Sequence, residues 1–256
     1  MKRTALILLA AGALALGASA QDKDLQLVNA YSTLAPRINK ARSALRKGRL
    51  EACESIAREC LAALPEHHEA LFLLAQAAYQ KGEYGRALDE IRAAEDGSAR
   101  MARAVASLEQ RKKKAQADEM VRLSDEIADL AASAAAVKGR GSCIPDKYDA
   151  ALEDTKQELI SEEEERNSAN PAAAGVPALY LFWHGNVLFK LGRTDEAEAL
   201  YKRALAVDPK FGETYNNLIN LLYAAGRVDE AREVLAQADA HKAKVHPGLK
   251  NAVLGK

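Results

Sequence analysis

Gly82-Glu83-Tyr84-Gly85-Arg86-Ala87-Leu88, Gly192-Arg193-Thr194-Asp195-Glu196-Ala197-Glu198 and Gly226-Arg227-Val228-Asp229-Glu230-Ala231-Arg232 are copies of one local pattern. Each opens on a glycine and carries a small side chain five positions later. Gly48-Arg49-Leu50-Glu51-Ala52-Cys53-Glu54 is a further copy, with Cys53 where the others have alanine. Gly48 and Gly82 are 34 apart in the numbering, as are Gly192 and Gly226. A glycine at a helix end supplies left-handed backbone at no steric cost. The small residue lets a second helix pack closely on the first. Seven positions further on, Cys60, Ala94, Ala204 and Ala238 are small again and suit contact with the next unit. Pro65 and Pro209 then stop the second helix.

The first helices agree among themselves. Leu71, Leu74, Ala75 and Ala78 share one helical face; so do Leu181, Gly185 and Leu188, and Tyr215, Leu218, Ile219 and Leu222. A helix-turn-helix unit of this period resembles the tetratricopeptide repeat (TPR) family. Its W-x2-L-G-x2-Y and A-x3-F signature is approximated by these faces and by Ala87/Ile91, Ala197/Tyr201 and Ala231/Leu235. The resemblance implies an all-α fold, an α-solenoid of repeats at 34–67, 68–101, 178–211 and 212–245. Residues 34–67 are degenerate, with Arg37 and Lys40 where apolar residues are expected, as suits a terminal repeat facing water. Residues 246–256 read as a tail.

Composition supports helices. Apolar residues make up 48% of the 256, much of it alanine and leucine, and aromatics only 5%. No alternating β-branched run predicts a strand. Residues 1–20 read as a signal peptide: Lys2 and Arg3, the apolar stretch Ala5 to Leu16, then Ala18-Ser19-Ala20 as a cleavage site before Gln21. An uncleaved anchor is the alternative, but the apolar stretch is short for a bilayer. The expectation is a periplasmic or secreted protein with no transmembrane segment in the mature chain. Removing Lys2 and Arg3 leaves 34 basic against 36 acidic residues, which favours neither nucleic acid nor an anionic membrane as partner. Export would allow disulfides. Cys53 and Cys60, two turns apart on one helix and so about 10 Å distant, cannot pair. They read as small core groups, and Cys143 is left as a candidate for pairing.

Residues 102–177 break the repeat. From Gly82 to Gly192 the numbering advances by 110, three periods and eight. That spacing is consistent with two degraded units and with an unrelated helical insertion; one stretched helix-loop-helix unit over 102–166 is preferred here. A helix is expected over about 101–137, a loop at Lys138-Gly139-Arg140-Gly141-Ser142, a second helix from Asp146 to about Glu165, and a linker over 167–177. Arg111-Lys112-Lys113-Lys114 and Glu162 to Glu165 read as solvated helix faces.

No catalytic or metal motif stands out, and no cofactor is expected. There is no phosphate loop, H-E-x-x-H, C-x-x-C or G-x-S-x-G. His67-His68-Glu69 offers adjacent rather than same-face ligands, and His241 and His246 are poorly spaced. His184, where the family has a core leucine, reads as a hydrogen-bonded packing residue. The resemblance implies binding instead: first helices line a groove that receives a protein or peptide segment. At the matching positions the groove residues would be Phe72, Gln76 and Tyr79, then Phe182, Asn186, Phe189 and Lys190, then Asn216, Asn217, Asn220 and Tyr223. Asn186 and Asn217 match the asparagines of the family's chaperone-tail clamps. The clamp's paired lysines and arginine are missing, so an apolar or mixed peptide is expected rather than an acidic tail. The expected function is therefore a non-catalytic scaffold. The alternative is a structural protein that self-associates into a homo-oligomer through the middle segment.

Overall fold

The glycine corners divide the chain as the repeat pattern requires. The structure, a computed structural model, describes residues 23–138 and 175–255, without the side chains of 123 and 126–138. Among the described residues there are nine helices and no strand. They are α1 (Lys23–Arg46), α2 (Leu50–Ala63), α3 (His68–Gln80), α4 (Tyr84–Lys138), α5 (Ala178–Lys190), α6 (Thr194–Val207), α7 (Gly212–Ala224), α8 (Val228–Ala240) and α9 (Pro247–Leu254). None is long and apolar enough to cross a membrane. The expected signal peptide, Cys143, the 139–142 loop residues, the second middle helix, the Glu162–Glu165 run and 167–174 of the expected linker lie outside the described residues.

Each corner uses one hydrogen-bond device. At the end of α3, Gly82 has φ +79°. Its N–H donates to the Tyr79 carbonyl at 3.0 Å, and the Glu83 N–H donates to the Ala78 carbonyl at 2.9 Å. These two bonds satisfy carbonyls that the helix end would otherwise orphan. The same pair recurs at Gly48, Gly192 and Gly226. The end of α8 repeats it with Lys242 at φ 57°, a non-glycine in left-handed backbone.

The small-residue positions are where the helices meet. Cys53, Ala87, Ala197 and Ala231 are all fully buried, and so are Cys60, Ala94, Ala204 and Ala238. Both cysteines are free thiols, and burial pushes the Cys53 thiol up to about 11. They pack; they are not poised to react.

Three features depart from the sequence expectation. First, α1 begins at Lys23, well ahead of residue 34, and carries Pro36 inside it. Its core face is Leu34, Ile38, Ala41 and Leu45, which turns Arg37 and Lys40 to solvent. The added length lies against α4, and Asp24 meets Arg111 at 3.3 Å. Second, α4 runs unbroken from Tyr84 through the boundary expected after residue 101. No proline stands there to stop it, unlike Pro65 and Pro209. Third, the expected tail folds. α9 packs on α8 and α7, with Val253 1% exposed, Arg232 Nε donating to its carbonyl at 3.2 Å and Lys250 paired with Asp239.

Despite the long α4, α5 docks directly on α3 and α4. One apolar core contains Phe72, Ala75, Leu88 and Ile91 together with Tyr180, Leu181, Leu188, Ile219 and Val253. Within the third repeat, Gly185 is required: a Cβ there would lie 2.6 Å from the Tyr201 ring, which is 2% exposed and cannot yield. Gly185→Ala should therefore lower stability by about 1–3 kcal/mol from overpacking. That outweighs the roughly 1 kcal/mol of helix propensity alanine brings. A urea midpoint at or above that of the parent chain would contradict this packing.

Candidate peptide-binding groove

The first helices α3, α5 and α7 carry the residues expected to form a groove. Their structural roles differ. Phe189 and Tyr223 are 41% and 39% exposed, and Lys190 and Asn220 are exposed beside them. Gln76 is half-buried. Tyr79 is half-buried, edge-on to Trp183 with ring centres 5.2 Å apart. Phe182 is half-buried against Phe211 at 5.1 Å.

Two expected groove residues are engaged elsewhere. Phe72 is 7% exposed because Tyr180 stacks on it at 4.1 Å, with ring planes 19° apart. It belongs to the junction between the second and third repeats, since α5 lies over α3 there. Asn216 latches the segment after α8: its Oδ1 accepts from the His246 N–H at 2.8 Å and its Nδ2 donates to the Lys244 carbonyl at 3.5 Å.

Asn186 and Asn217 are brought together. Asn217 Nδ2 donates to Asn186 Oδ1 at 2.7 Å, and the Tyr201 hydroxyl donates to the same oxygen at 2.8 Å. Burial holds the Tyr201 phenol well above the ordinary tyrosine range, so it stays a donor. The repeat pattern identifies Tyr201 only as the apolar residue of A-x3-F. Its hydroxyl, absent from the equivalent Ile91 and Leu235, is the one sign in the sequence of a polar partner.

Charged groups tie the repeats of each pair. Glu198 meets Arg227 and Lys202, each at 2.6 Å, and the hydrogen bonds from Arg227 hold its carboxyl below the usual range. Glu54, in the equivalent position, meets Lys81 and Arg58 at 3.1 Å and Arg86 at 3.3 Å.

Four of the five histidines are held in structural contacts. His184 is 7% exposed, with Nδ1 2.8 Å from Glu95 Oε1 on α4. His246 caps α9, accepting from the Gly248 N–H at 3.2 Å. His67 caps α3, with Nδ1 accepting from the Ala70 N–H at 3.4 Å. Tyr31 stacks on the His67 ring at 4.1 Å. The Tyr31 hydroxyl donates to the Glu66 carbonyl at 3.1 Å and accepts from the His68 N–H at 2.9 Å. His68 Nδ1 is 2.9 Å from the Tyr180 hydroxyl. Glu69 pairs with Arg42, and Glu66 with Arg100, around this cluster. Among the described residues, no group of three or more His, Cys, Asp or Glu is placed to hold a metal.

Two tetratricopeptide-repeat family models match the chain, over residues 38–100 and 188–252, together half of its length. The chain belongs to the tetratricopeptide-repeat family, whose members generally mediate protein–protein interaction and scaffolding. Among solved structures it is similar to TTC0263, a thermophilic TPR protein of Thermus thermophilus. That match has 19% identity and a TM-score of 0.37, and covers 87% of this chain and 97% of that one. It is similar also to pilF of Pseudomonas aeruginosa, at 15% identity and TM-score 0.35, covering 84% of this chain and 79% of that one. A third is YrrB, a TPR protein with an unusual peptide-binding site, at 15% identity and TM-score 0.27, covering 90% and 96%. A comparison with curated proteins finds no match.

Burial lowers both His67 and His68 to about 4. Folded, both rings are neutral near pH 7, whereas the unfolded chain takes up a proton on each below about 6.5. Their contribution to stability is full above about pH 6.5 and is lost as pH falls toward 4. His67→Asn, which keeps a capping side chain, combined with His68→Gln should shrink the loss of Tm over that window. An unchanged Tm profile in the double variant would refute the assignment.

Proposed function

We propose that this chain is a non-catalytic scaffold that holds an extended protein or peptide segment along its first helices. The observation that carries the reading is the Asn186–Asn217 pair, half-buried beside the exposed Phe189, Lys190, Asn220 and Tyr223. Asn186 Oδ1 already takes two donors, so the pair presents the Asn186 NH2 as donor and Asn217 Oδ1 as acceptor. A peptide backbone offers the complementary C=O and N–H. The neighbouring rings suit apolar or mixed side chains, and Lys190 adds one positive charge. Peptides selected by display on the chain provide the test. Asn220→Ala with Tyr223→Ala should weaken their binding at least about tenfold, the loss of about 1.4 kcal/mol. Both side chains are exposed, so Tm should hardly move. Undiminished binding by the double variant would remove the groove from consideration.

The same proposal puts the scaffold outside the cytoplasm. It rests on the order of Lys2-Arg3, the apolar stretch and Ala18-Ser19-Ala20. N-terminal sequencing of the chain from the envelope or exterior fraction should begin at Gln21. Recovery of the chain in the cytoplasm with Met1 to Ala20 intact would argue against export.

Met120 and Val121 on α4, 45% and 47% exposed, favour a second reading, self-association through the middle segment. Light scattering over a concentration series separates the two, because a monomer at every concentration leaves only the peptide scaffold.

A further inference from the structure

We infer that residues 99–174 are a removable insertion at a single splice point, and that the four repeats form one uninterrupted solenoid without them. Two independent observations meet at this point.

The first is the count. The segment 99–174 accounts for 76 of the 110 steps from Gly82 to Gly192. Removing it leaves 34, the spacing of the other corner glycines. The middle is therefore one period plus a fixed insertion, rather than three periods and a remainder.

The second is contact. The Ser98 hydroxyl donates to the Gly175 carbonyl at 2.5 Å, in a buried site. Gly175 lies so close to the departing chain that a Cβ on it would be 2.8 Å from Ala99 Cα. The chain thus leaves and returns within about one residue step. Gly97 fits under the preceding linker in the same way, where a Cβ would be 2.7 Å from the Glu66 carbonyl. The exit and the re-entry are each built on a glycine that backbone presses against.

The solenoid closes over this point. Leu88, Ile91 and Ala94 of α4 share a core with Ala178, Tyr180 and Leu181 of α5. Phe72 stacks on Tyr180, Tyr79 meets Trp183, and Glu95 meets His184. The residue six past the corner glycine is Glu54 or Glu198 where a repeat meets its sequence neighbour through an ion pair. It is the buried Leu88 at the splice. The row of first helices therefore runs from α3 to α5 without a gap, and the array is complete without residues 99–174.

The inference stands whether or not a peptide binds, so its failure and that of the scaffold reading are distinguishable. In the full chain, a specific protease site placed after Gly141 is cut, and the two halves are passed over a sizing column. They should co-elute, with the emission of Trp183, the one tryptophan, unchanged. A second variant deletes 99–174 and joins Ser98 to Gly175, alone and with two glycines between them. At least one form should unfold in a single thermal transition with Trp183 emission as in the full chain. Separation of the cut halves, or failure of both joined forms to fold cooperatively, would overturn the inference.

Discussion

The close approach of helices at Cys53, Ala87, Ala197 and Ala231 is the constraint on which the rest of the structure depends. A side chain larger than a thiol at these fully buried positions would hold the second helix of each unit away from the first. The corner could then no longer bring its two hydrogen bonds into register. Once the pair closes, each unit presents a second small position, from Cys60 to Ala238, to the unit that follows. Stability in such an array is a sum over neighbours, so each missing contact is felt locally and at its two flanks.

The same reasoning explains why an interruption after Ser98 is tolerated. A solenoid needs its neighbours in space, not in sequence. Tyr180 reaches both Phe72 and His68, so the third unit packs directly on the second. The longer α1 is the other half of this arrangement. Its first turns lie beyond the second repeat's first helix and would have little to pack on if α4 ended where a repeat normally does. Instead Met101 and Ala104 are buried as α4 continues past the core.

Much of this was legible in the sequence. The corner glycines, the small-residue slots and the apolar faces around Leu71, Leu181 and Leu218 fall where their spacing put them, because local periodicity determines which face of a helix is buried. The path of the middle was not legible. Counting from Gly82 to Gly192 allows several divisions, and only the contact between Ser98 and Gly175 selects one. Among the expected groove residues, Asn186 and Asn217 lie in contact, but a distant ring decided the fate of Phe72. Tyr180 stands on the far side of the whole middle segment, and no local pattern announces that pairing. The helix at the end was missed because eight residues with a proline and a glycine carry little helical signal.

That last helix covers one flank of the array. Repeating units with matching front and back surfaces would, left open, add copies head to tail without limit. α9 lies against α7 and α8, and Val253 is buried there. At the opposite end Arg37 and Lys40 turn a charged flank outward. The two flanks of the array therefore differ in chemistry, one covered by a short helix and the other lined with charge.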